Sequence, residues 1–375
     1  MFTLIKKARV YNPEPLGVKD VLVSFGKIAA IEDDINIVGL KEVEIVNAEG
    51  LLMLPGFIDQ HVHIVGGGGE GGFETRTSEI TFEELYENGI TTVVGILGTD
   101  GVTRTVGNLY AKACELEEKG LTAYIYTGSY QVPPISLTGD IQKDIVYIDK
   151  VVGVGEIAIS DHRSYNPTVE ELARLGAMAR VAGMLGGKAG VVHLHVGDGE
   201  EGLNRIFKVL DSTSIPPTQF VPSHVNRSKK LFEEAITFLD RGGYIDLTAG
   251  FEQEVGFMEC IPSYMALKLL VESGKSLDRV TLSSDANGSI PSFDENGKLI
   301  RLEVASCRRL LEDIKKAVFV CGIELSQALK VITANPAKLL KFKNKGTIEE
   351  GKDADFLLVD EELNIKKVHT RCFLK

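Results

Sequence analysis

Paired cysteines and long apolar runs are both absent from this sequence. Its five cysteines form no C-x-x-C motif, so reduced thiols are expected rather than a disulfide framework; they are Cys114, Cys260, Cys307, Cys321 and Cys372. No apolar segment approaches the ~20 residues of a membrane helix. The N-terminus lacks the small-residue cleavage site of a secretory signal. We therefore predict a cytoplasmic protein with no membrane contact.

Positive charge is scarce relative to negative charge. Lysine and arginine number 41, whereas aspartate and glutamate number 53, which gives a net charge of −12. Such a chain has no electrostatic footprint for a polyanion, so nucleic acid is not an expected partner. An apolar content of 44% over 375 residues excludes a disordered chain and is sufficient for a large core.

Eight short apolar runs, rich in β-branched residues, alternate with amphipathic helical patterns. The runs cover residues 57–64, 92–97, 123–126, 151–159, 190–196, 220–225, 244–248 and 280–284. Capping-box pairs mark two helix starts, Thr81 with Glu84 and Thr168 with Glu171. Eight strand–helix units predict an α/β fold, a (β/α)8 TIM barrel over residues 55–343. A doubly wound open sheet is the alternative.

Strand patterns also flank this region at both ends. The first fifty residues alternate in polarity between turn signals, and short strands recur at 355–359 and 366–368. We predict that residues 1–54 and 344–375 together form a small β-sandwich domain.

Histidines occur at the ends of several predicted barrel strands. His61 and His63 form H-x-H, and the two-residue period of a strand places both side chains on one face. His195, His224 and Asp285 end three further strands, and the carboxyl ends of barrel strands meet at one rim. Imidazole and carboxylate ligands without cysteine favour zinc or a similar divalent ion. One histidine alone would more often be structural, but this combination predicts a metal site.

The remaining histidines are interpreted differently. His193 shares a face with His195 but lies deeper, so we predict a structural role for it. His162 follows the fourth strand and is interpreted as either a loop residue or a support for the metal ligands, and His369 as an ordinary satisfied residue. The run 197–202 matches G-x-G-x-x-G, but three acids within it would repel a pyrophosphate, so a dinucleotide site is rejected.

Further motifs carry a resemblance that spans nearly the whole chain. They are Pro55-Gly56-Phe57-Ile58-Asp59-x-His61-x-His63, Thr333-Ala334-Asn335-Pro336-Ala337 and Gly346-x-Ile348-x-x-Gly351-x-Asp353-Ala354-Asp355. Together they resemble the amidohydrolase superfamily. Within it, five segments closely resemble the isoaspartyl dipeptidase family. They are the glycine run 66–72 around Glu70, Ser160-Asp161-His162-Arg163-Ser164, His195-Val196-Gly197-Asp198, Pro222-Ser223-His224-Val225-Asn226-Arg227 and Asp285-Ala286-Asn287-Gly288-Ser289. Members of that family are metal-dependent barrel enzymes that cleave the β-aspartyl bond of dipeptides.

The resemblance implies two zinc ions per chain. His61, His63 and Asp285 would hold one ion, and His195 and His224 would hold the other, with a hydroxide between them. Asp285 would act as general base and then as general acid, or as a ligand only. Family resemblance also implies a homo-oligomer, an octamer.

The resemblance also assigns contacts with a small dipeptide. Glu70 would bind its ammonium group, and Arg163 and Arg227 would bind its carboxylates. Tyr130 would donate a hydrogen bond to the developing oxyanion. Two further residues, Thr99 and Ser289, match positions near the aspartyl group.

One position departs from the family pattern. The family lysine, whose carbamate bridges the two metals, is replaced by Glu156. Glutamate supplies the same carboxylate without modification, but it is shorter by roughly 3–4 Å at about 1.5 Å per bond. Either the metals lie closer to this strand, which Gly153 and Gly155 would permit, or only one metal is tightly held. We predict a pair of ions bridged by Glu156.

Two other functions remain as alternatives. A cyclic-amide hydrolase of the dihydroorotase or hydantoinase type would share the metal ligands, but an anionic residue such as Glu70 is of no use to a cyclic imide. A non-catalytic scaffold would first have lost its metal ligands, and all five of the family's histidine and aspartate ligands are present here.

Overall fold

The computed structural model describes residues 2–37, 39, 42–252, 259–293 and 299–371. Within these residues the strands are β1 (Phe2–Asn12), β2 (Glu14–Ser24), β3 (Lys27–Glu32), β4 (Val43–Asn47), β5 (Leu52–Pro55), β6 (Phe57–Val62), β7 (Ile90–Gly95), β8 (Thr122–Thr127), β9 (Val151–Ile159), β10 (Val191–Val196), β11 (Phe220–Ser223), β12 (Ile245–Thr248), β13 (Val280–Ser283), β14 (Ser289–Phe293), β15 (Leu299–Val304), β16 (Phe356–Val359) and β17 (Ile365–His369). The helices are α1 (Phe82–Glu87), α2 (Val106–Lys119), α3 (Ile141–Tyr147), α4 (Val169–Gly186), α5 (Asn204–Ser212), α6 (Lys229–Asp240), α7 (Ser263–Glu272), α8 (Arg308–Phe319), α9 (Leu325–Lys330) and α10 (Ala334–Leu339).

The strands β6 to β13 correspond to the eight predicted runs, in the same order. Six of them form one parallel sheet in the order β11-β10-β9-β8-β7-β6, and β12 and β13 form a parallel pair. Just beyond β13, the Asp285 backbone N–H donates to the His61 carbonyl at 3.1 Å, and the His63 N–H donates to the Ala286 carbonyl at 2.9 Å. The fold is therefore mixed α/β with a parallel half-barrel, and closure of all eight strands into one barrel stays a prediction.

Local sequence signals explain where the covering helices begin and end. Both predicted capping boxes are present, at Thr81 before α1 and at Thr168 before α4. Helix α2 ends at Lys119 and is capped by Gly120, whose φ of 119° lies in the left-handed region that favours glycine. Its buried residues Leu109 and Leu116 lie on one face, and each fully buried leucine contributes about 1.5–3 kcal/mol.

The terminal segments combine into a seven-stranded mixed sheet. Its order is β17-β16-β5-β1-β2-β3, with β4 paired to β1. Strand β5 pairs antiparallel with β16 and ends at Pro55, and β6 begins at Phe57. The predicted β-rich part is thereby confirmed, and it is joined directly to the first strand of the parallel sheet.

A buried ion cluster connects the terminal sheet to the parallel sheet. The Lys345 ammonium lies 2.8 Å from Asp353 Oδ2, contacts Asp355, and donates to Thr122 Oγ1 at the first residue of β8. Asp353 is also paired with Lys27 at 2.7 Å. Each acid therefore faces a cation, as burial of charge requires.

The structure bears in part on the expected reduced cysteines and on the expected lack of a membrane helix. Cys114, Cys260, Cys307 and Cys321 are free thiols, and Cys372 lies outside the described residues. No helix in the described part of the chain has the length and apolar character to cross a membrane.

Candidate active site

All six predicted metal ligands converge at the carboxyl ends of the parallel strands. They come from β6 (His61 and, one residue beyond it, His63), β9 (Glu156), β10 (His195) and the residues after β11 (His224) and β13 (Asp285). Each is at most 9% exposed. Residues distant in sequence meet here because parallel strands end at the same rim.

Glu156 lies at the centre of the four histidines. Its Oε2 atom is 3.4 Å from His61 Nε2, 3.3 Å from His195 Nδ1 and 3.7 Å from His224 Nε2. Its Oε1 atom is 3.5 Å from His63 Nε2. A glutamate at this position therefore reaches every histidine of the cluster without the extra length of a lysine carbamate.

Glycines allow β9 to approach β10 closely near Glu156. A Cβ atom at Gly153 would lie 2.5 Å from the Val191 carbonyl oxygen, and one at Gly155 would lie 2.8 Å from the His193 Cβ. Any larger residue at either position would push the two strands apart. The space beside both glycines is therefore occupied by β10, and a position of the metals closer to β9 stays a prediction.

Asp285 is the second carboxylate of the cluster. Its Oδ1 atom lies 3.3 Å from His61 Nε2 and 3.1 Å from His63 Nε2. Burial alone would raise the pKa values of Asp285 and Glu156, but the neighbouring histidines, His61 foremost, outweigh burial and lower both pKa values below their usual range. Both carboxyls are therefore ionised at neutral pH.

The donor atoms fit divalent metal ions. His61 Nε2, His224 Nε2 and Glu156 Oε2 are buried and make no hydrogen bond within the part of the chain that the structure describes. One set of mutually close ligand atoms comes from His61, Glu156 and His224, and another from His61, His63 and Asp285. Buried polar atoms left without partners cost free energy, and a bound cation would satisfy them. Nitrogen and carboxylate donors suit zinc and similar ions.

His193 lies beneath the cluster and contacts it through His61. Its Nε2 atom is 2.7 Å from His61 Nδ1, which is a hydrogen-bond distance. Its ring stacks on Tyr126 at 5.0 Å between centroids. Asp246 also lies near these two histidines, but it already accepts hydrogen bonds from Gln60 and the serine and threonine side chains of β13. This deeper set is a hydrogen-bonded support, consistent with the structural role predicted for His193.

Glu70 gathers three of the predicted substrate contacts. Its Oε1 atom accepts hydrogen bonds from Ser289 Oγ at 2.9 Å, Thr99 Oγ1 at 3.2 Å and Arg163 Nη1 at 3.2 Å. Its Oε2 atom is buried and makes no hydrogen bond among the described residues. The structure therefore brings these predicted residues together around Glu70, which lines the cavity and keeps one carboxylate oxygen without a hydrogen bond among the described residues.

Tyr130 lies between the metal ligands and the arginines. Its hydroxyl is 2.8 Å from His195 Nδ1, and the Arg163 guanidinium lies 5.5 Å from its ring centroid. Burial, with the nearby Glu156 charge, raises the pKa of Tyr130 well above its ordinary value. The hydroxyl is therefore protonated and able to donate at neutral pH.

The two predicted arginines line the same cavity. Arg227 is half-buried with its guanidinium 5.5 Å from the Phe251 ring centroid, and desolvation followed by repulsion from Arg163 lowers its pKa. His162, predicted as a loop or supporting residue, is exposed at the cavity wall. His369 is satisfied by the Ala354 carbonyl at 2.7 Å.

Sequence reasoning missed two polar residues of the cavity, the exposed Asp198 and the buried Asp161. The Asp161 carboxylate contacts both Arg163 and His195. Burial raises its pKa, but hydrogen bonds from His195 and Arg163 outweigh this effect and hold the pKa of Asp161 below its usual range. The sequence signal that could have identified Asp161 was its position two residues after β9, close to the predicted substrate-binding residue Arg163. Phe251 and Ile290, the apolar residues of the cavity wall, were also not predicted.

The rejected glycine motif has a packing explanation. A Cβ atom at Gly197 would lie 2.5 Å from Asp161 Cβ, and one at Gly199 would lie 2.7 Å from the Ser160 carbonyl oxygen. These glycines let the loop after β10 pack against the loop after β9, so no phosphate-binding role is needed to account for them.

A sequence model described as the amidohydrolase family matches residues 52–371. The chain belongs to the amidohydrolase family. A crystal structure of a beta-aspartyl dipeptidase from Fervidobacterium islandicum AW-1, in complex with beta-Asp-Leu dipeptide, is 49% identical in sequence and superposes with a TM-score of 0.92; the match covers 99% of this chain and 96% of that one.

Curated relatives within the family are more distant. A dihydroorotase from Elusimicrobium minutum is 36% identical over 108 residues, which are 28% of this chain and 24% of the relative. An adenine deaminase from Shouchella clausii is 22% identical over 377 residues, 96% of this chain and 56% of the relative. The chain thus matches less than two thirds of the length of either curated relative.

Proposed function

We propose that this protein hydrolyses the β-aspartyl peptide bond of dipeptides. The observation that carries the proposal is the position of Glu70, a carboxylate in the wall of a cavity that also contains the metal-ligand cluster and two arginines. A β-aspartyl dipeptide has one ammonium group and two carboxylates, which this arrangement of charges complements. The beta-aspartyl dipeptidase similar to this chain supports the same substrate.

The cluster would hold two zinc ions. His61, His63 and Asp285 would bind one, His195 and His224 the other, and Glu156 would bridge them with the oxygens that already face all four histidines. Bound divalent ions supply Lewis-acid polarisation of the amide carbonyl and lower the pKa of water. Because Glu156 needs no carbamate, we expect no requirement for bicarbonate.

Asp285 is the group that would move the proton. Its ionised carboxylate faces the cavity, so it can take a proton from the attacking water and then deliver it to the leaving amine. The Tyr130 hydroxyl would donate to the oxygen on which negative charge develops. In this state Tyr130 exchanges its contact with His195 for one with the substrate.

The remaining polar groups would bind the substrate's charges. Glu70 would accept hydrogen bonds from the substrate ammonium, and Thr99 and Ser289 hold the Glu70 carboxylate in place. Arg163 and Arg227 would bind the carboxylates through charge-assisted hydrogen bonds. Arg163 is already fixed by Asp161, which reduces the entropy lost on binding.

A cyclic-amide hydrolase is the second candidate, favoured by the local identity to a dihydroorotase. Glu70 again discriminates, because a cyclic imide offers no ammonium to this carboxylate. The test compares turnover of β-Asp-Leu, α-Asp-Leu and dihydroorotate by one zinc-loaded preparation. We expect β-Asp-Leu to be preferred, and preference for the α-linked peptide or the ring would reject the assignment.

A matched pair of variants sharpens this test. Glu70→Gln should reduce turnover of β-Asp-Leu by about 100-fold or more, the effect of losing a buried charge contact of 3 kcal/mol or more, while metal content is unchanged. Glu74→Gln changes an exposed acid of the same loop and should have no effect. Equal turnover by both variants would remove Glu70 from the substrate site.

Several broader expectations belong to the same proposal. We infer that β6 to β13 close into a (β/α)8 barrel over residues 55–343, because backbone hydrogen bonds join the end of β6 to the segment just after β13. Residues 1–54 and 344–375 would form the small β-sandwich domain. A cytoplasmic location and an octameric homo-oligomer stay predictions.

A further inference from the structure

Asp161 lies at the junction between the metal-ligand cluster and the substrate-binding charges, and the proposed mechanism assigns it no chemical step. It is 6% exposed and follows β9 by two residues. Its two oxygens accept four hydrogen bonds. Oδ1 accepts from the backbone N–H and Nε of Arg163 at 2.8 and 2.9 Å, and Oδ2 accepts from Arg163 Nη2 at 2.8 Å and His195 Nε2 at 3.0 Å.

The contact with His195 determines which ring nitrogen is available to a metal. A neutral imidazole carries its proton on one of its two nitrogens. A hydrogen-bond acceptor beside one nitrogen holds the proton there and leaves the lone pair of the other nitrogen free for a metal. At His195 Nε2, Asp161 Oδ2 lies 3.0 Å away and is closer than Arg163 Nη2 at 3.4 Å, so the carboxylate retains the proton on Nε2. The lone pair of Nδ1 is then left to accept from the Tyr130 hydroxyl at 2.8 Å, on the side that faces Glu156 Oε2 at 3.3 Å. Carboxylate partners of this kind commonly orient metal-ligating histidines.

The contact with Arg163 determines the direction of the guanidinium. Three hydrogen bonds to Asp161 occupy the backbone N–H, Nε and Nη2 of Arg163, and Nη1 is left to meet Glu70 at 3.2 Å. The same carboxylate therefore holds a metal-ligating histidine and a charged group of the substrate cavity. If either His195 or Arg163 moves, the Asp161 carboxylate moves with it, and the hydrogen bonds that Asp161 accepts from the other residue change.

We propose that Asp161 is a positioning residue that fixes the His195 proton on Nε2 and the orientation of Arg163, and thereby couples metal binding at His195 to carboxylate binding at Arg163. The Arg163 half rests on the proposed function, whereas the His195 half depends only on the metal site. Asparagine at this position cannot reproduce the four contacts, because its amide group would face hydrogen-bond donors at whichever of the two oxygen positions it occupies, and the negative charge that holds the His195 proton would be lost.

The test is Asp161→Asn in the full-length protein. Solid-state ¹⁵N NMR of histidine-labelled protein, with His195 assigned from the His195→Gln spectrum, should show protonation of Nε2 alone in the unmodified protein and a mixture of tautomers in the variant. Affinity for the second zinc ion should fall by about 10–100-fold, the range for lost outer partners of a metal ligand. Affinity for the first ion should not change, and KM for β-Asp-Leu should rise.

Asp144→Asn is the matched control. Asp144 is also a buried carboxylate that accepts several hydrogen bonds, from Thr127, Leu137 and Thr138, but it lies outside the cavity. This variant should lower the melting temperature while the His195 tautomer and zinc affinity stay unchanged. If Asp161 were only structural, Asp161→Asn would likewise lower the melting temperature and leave the His195 tautomer and zinc affinity unchanged. That result would overturn the proposal.

The His195 tautomer can also be measured in the unmodified protein, so one test does not depend on the folding of any variant. Protonation of His195 on Nδ1 in the metal-free protein would overturn the proposal directly. Failure of the proposed function is distinguishable, because it would appear as absent β-Asp-Leu turnover by the unmodified enzyme while the tautomer and zinc results for His195 held.

Discussion

Two buried clusters of charged residues lie at opposite ends of the parallel strands. At the carboxyl ends, Glu156 and Asp285 face histidines whose nitrogens include buried atoms without hydrogen bonds in the described chain. At the amino end of β8, Lys345 lies between Asp353 and Asp355 and also reaches Thr122, while Lys27 forms a second ion pair with Asp353. Both clusters are buried, but only the second is balanced by its own charges.

The difference separates a structural cluster from a site prepared for a ligand. Burial of an ion is costly unless a partner compensates it, so a balanced cluster can be explained by folding alone. The first cluster keeps several electron-pair donors aimed at one small volume, and a folded protein bears that cost where function requires it. The predictions below test this difference, beginning with the largest expected effect.

Removal of the central carboxylate should abolish function at the first cluster. Glu156→Gln keeps the size of the side chain but removes the charge that faces all four histidines. Its loss of zinc affinity should exceed the ~100-fold upper end expected for residues outside the metal's ligands. Equilibrium dialysis and turnover of β-Asp-Leu measure the effect.

Two results would contradict this expectation. The variant could retain two zinc ions with undiminished affinity, or the unmodified enzyme at full activity could contain one zinc ion per chain. The exposed Glu118 offers a control, because Glu118→Gln should change neither metal content nor turnover.

Removal of the central cation should instead destabilise the second cluster. Lys345→Met leaves two buried carboxylates without their shared partner, and breaking a buried pair in this way costs about 3–5 kcal/mol. Urea unfolding should show the loss, with zinc affinity unchanged in the folded fraction. Lys338→Met, at an exposed lysine of α10, should change stability by no more than about 0.5 kcal/mol. Equal stability of the two variants would contradict a structural role for the cluster.

The pH dependence of metal binding should show a smaller effect. Burial disfavours a charged His61, but Glu156 and Asp285 outweigh burial and raise its pKa to about 9. Below that pH the metal-free protein holds a proton on His61 that an incoming metal must displace. Zinc affinity should therefore rise by about tenfold per pH unit between pH 7 and 9 and then level off.

Calorimetry in buffers of different ionisation enthalpy measures this proton directly. Zinc binding at pH 7 should release about one proton from His61. Above pH 10, zinc binding should no longer release this proton. Proton release that is as large above pH 10 as at pH 7, or zinc affinity that falls between pH 7 and 9, would contradict the raised pKa of His61.

The smallest expected effect concerns a buried thiol outside both clusters. Burial raises the pKa of Cys307 to about 12, so the reactive thiolate is scarce at neutral pH. In the folded protein, a thiol reagent at pH 7.5 should label Cys307 far more slowly than in urea. Mass spectrometry of the labelled peptides would show the difference, and rapid labelling of the native protein would contradict it.

Local patterns predicted the elements that position the site. The run 151–159 has the bounds of β9, and both capping boxes form, because strand period and helix capping depend on neighbouring residues. The H-x-H pair and the strand-end histidines converge as expected, since the rim of parallel strands follows from the fold class.

Other features were beyond the reach of such patterns. The contact between Asp161 and His195 joins residues 34 positions apart through the loop after β9, and no periodicity specifies the path of that loop. The β14–β15 hairpin and the Lys345 cluster likewise depend on packing between distant segments. Residue types showed which groups were available, but the hydrogen bonds that decide their orientation required coordinates.

The pairing of β5 with β16 joins the strand that leads into the active site to a segment that comes much later in the chain. Strand β5 leads within two residues into β6, which carries His61, and its antiparallel partner begins only at Phe356. Because Phe356 follows β6 to β13 in sequence, this pairing can form only after all eight of those strands have been synthesised. The junction between the terminal sheet and the parallel sheet is thus completed later in synthesis than the pairing of β6 with β7.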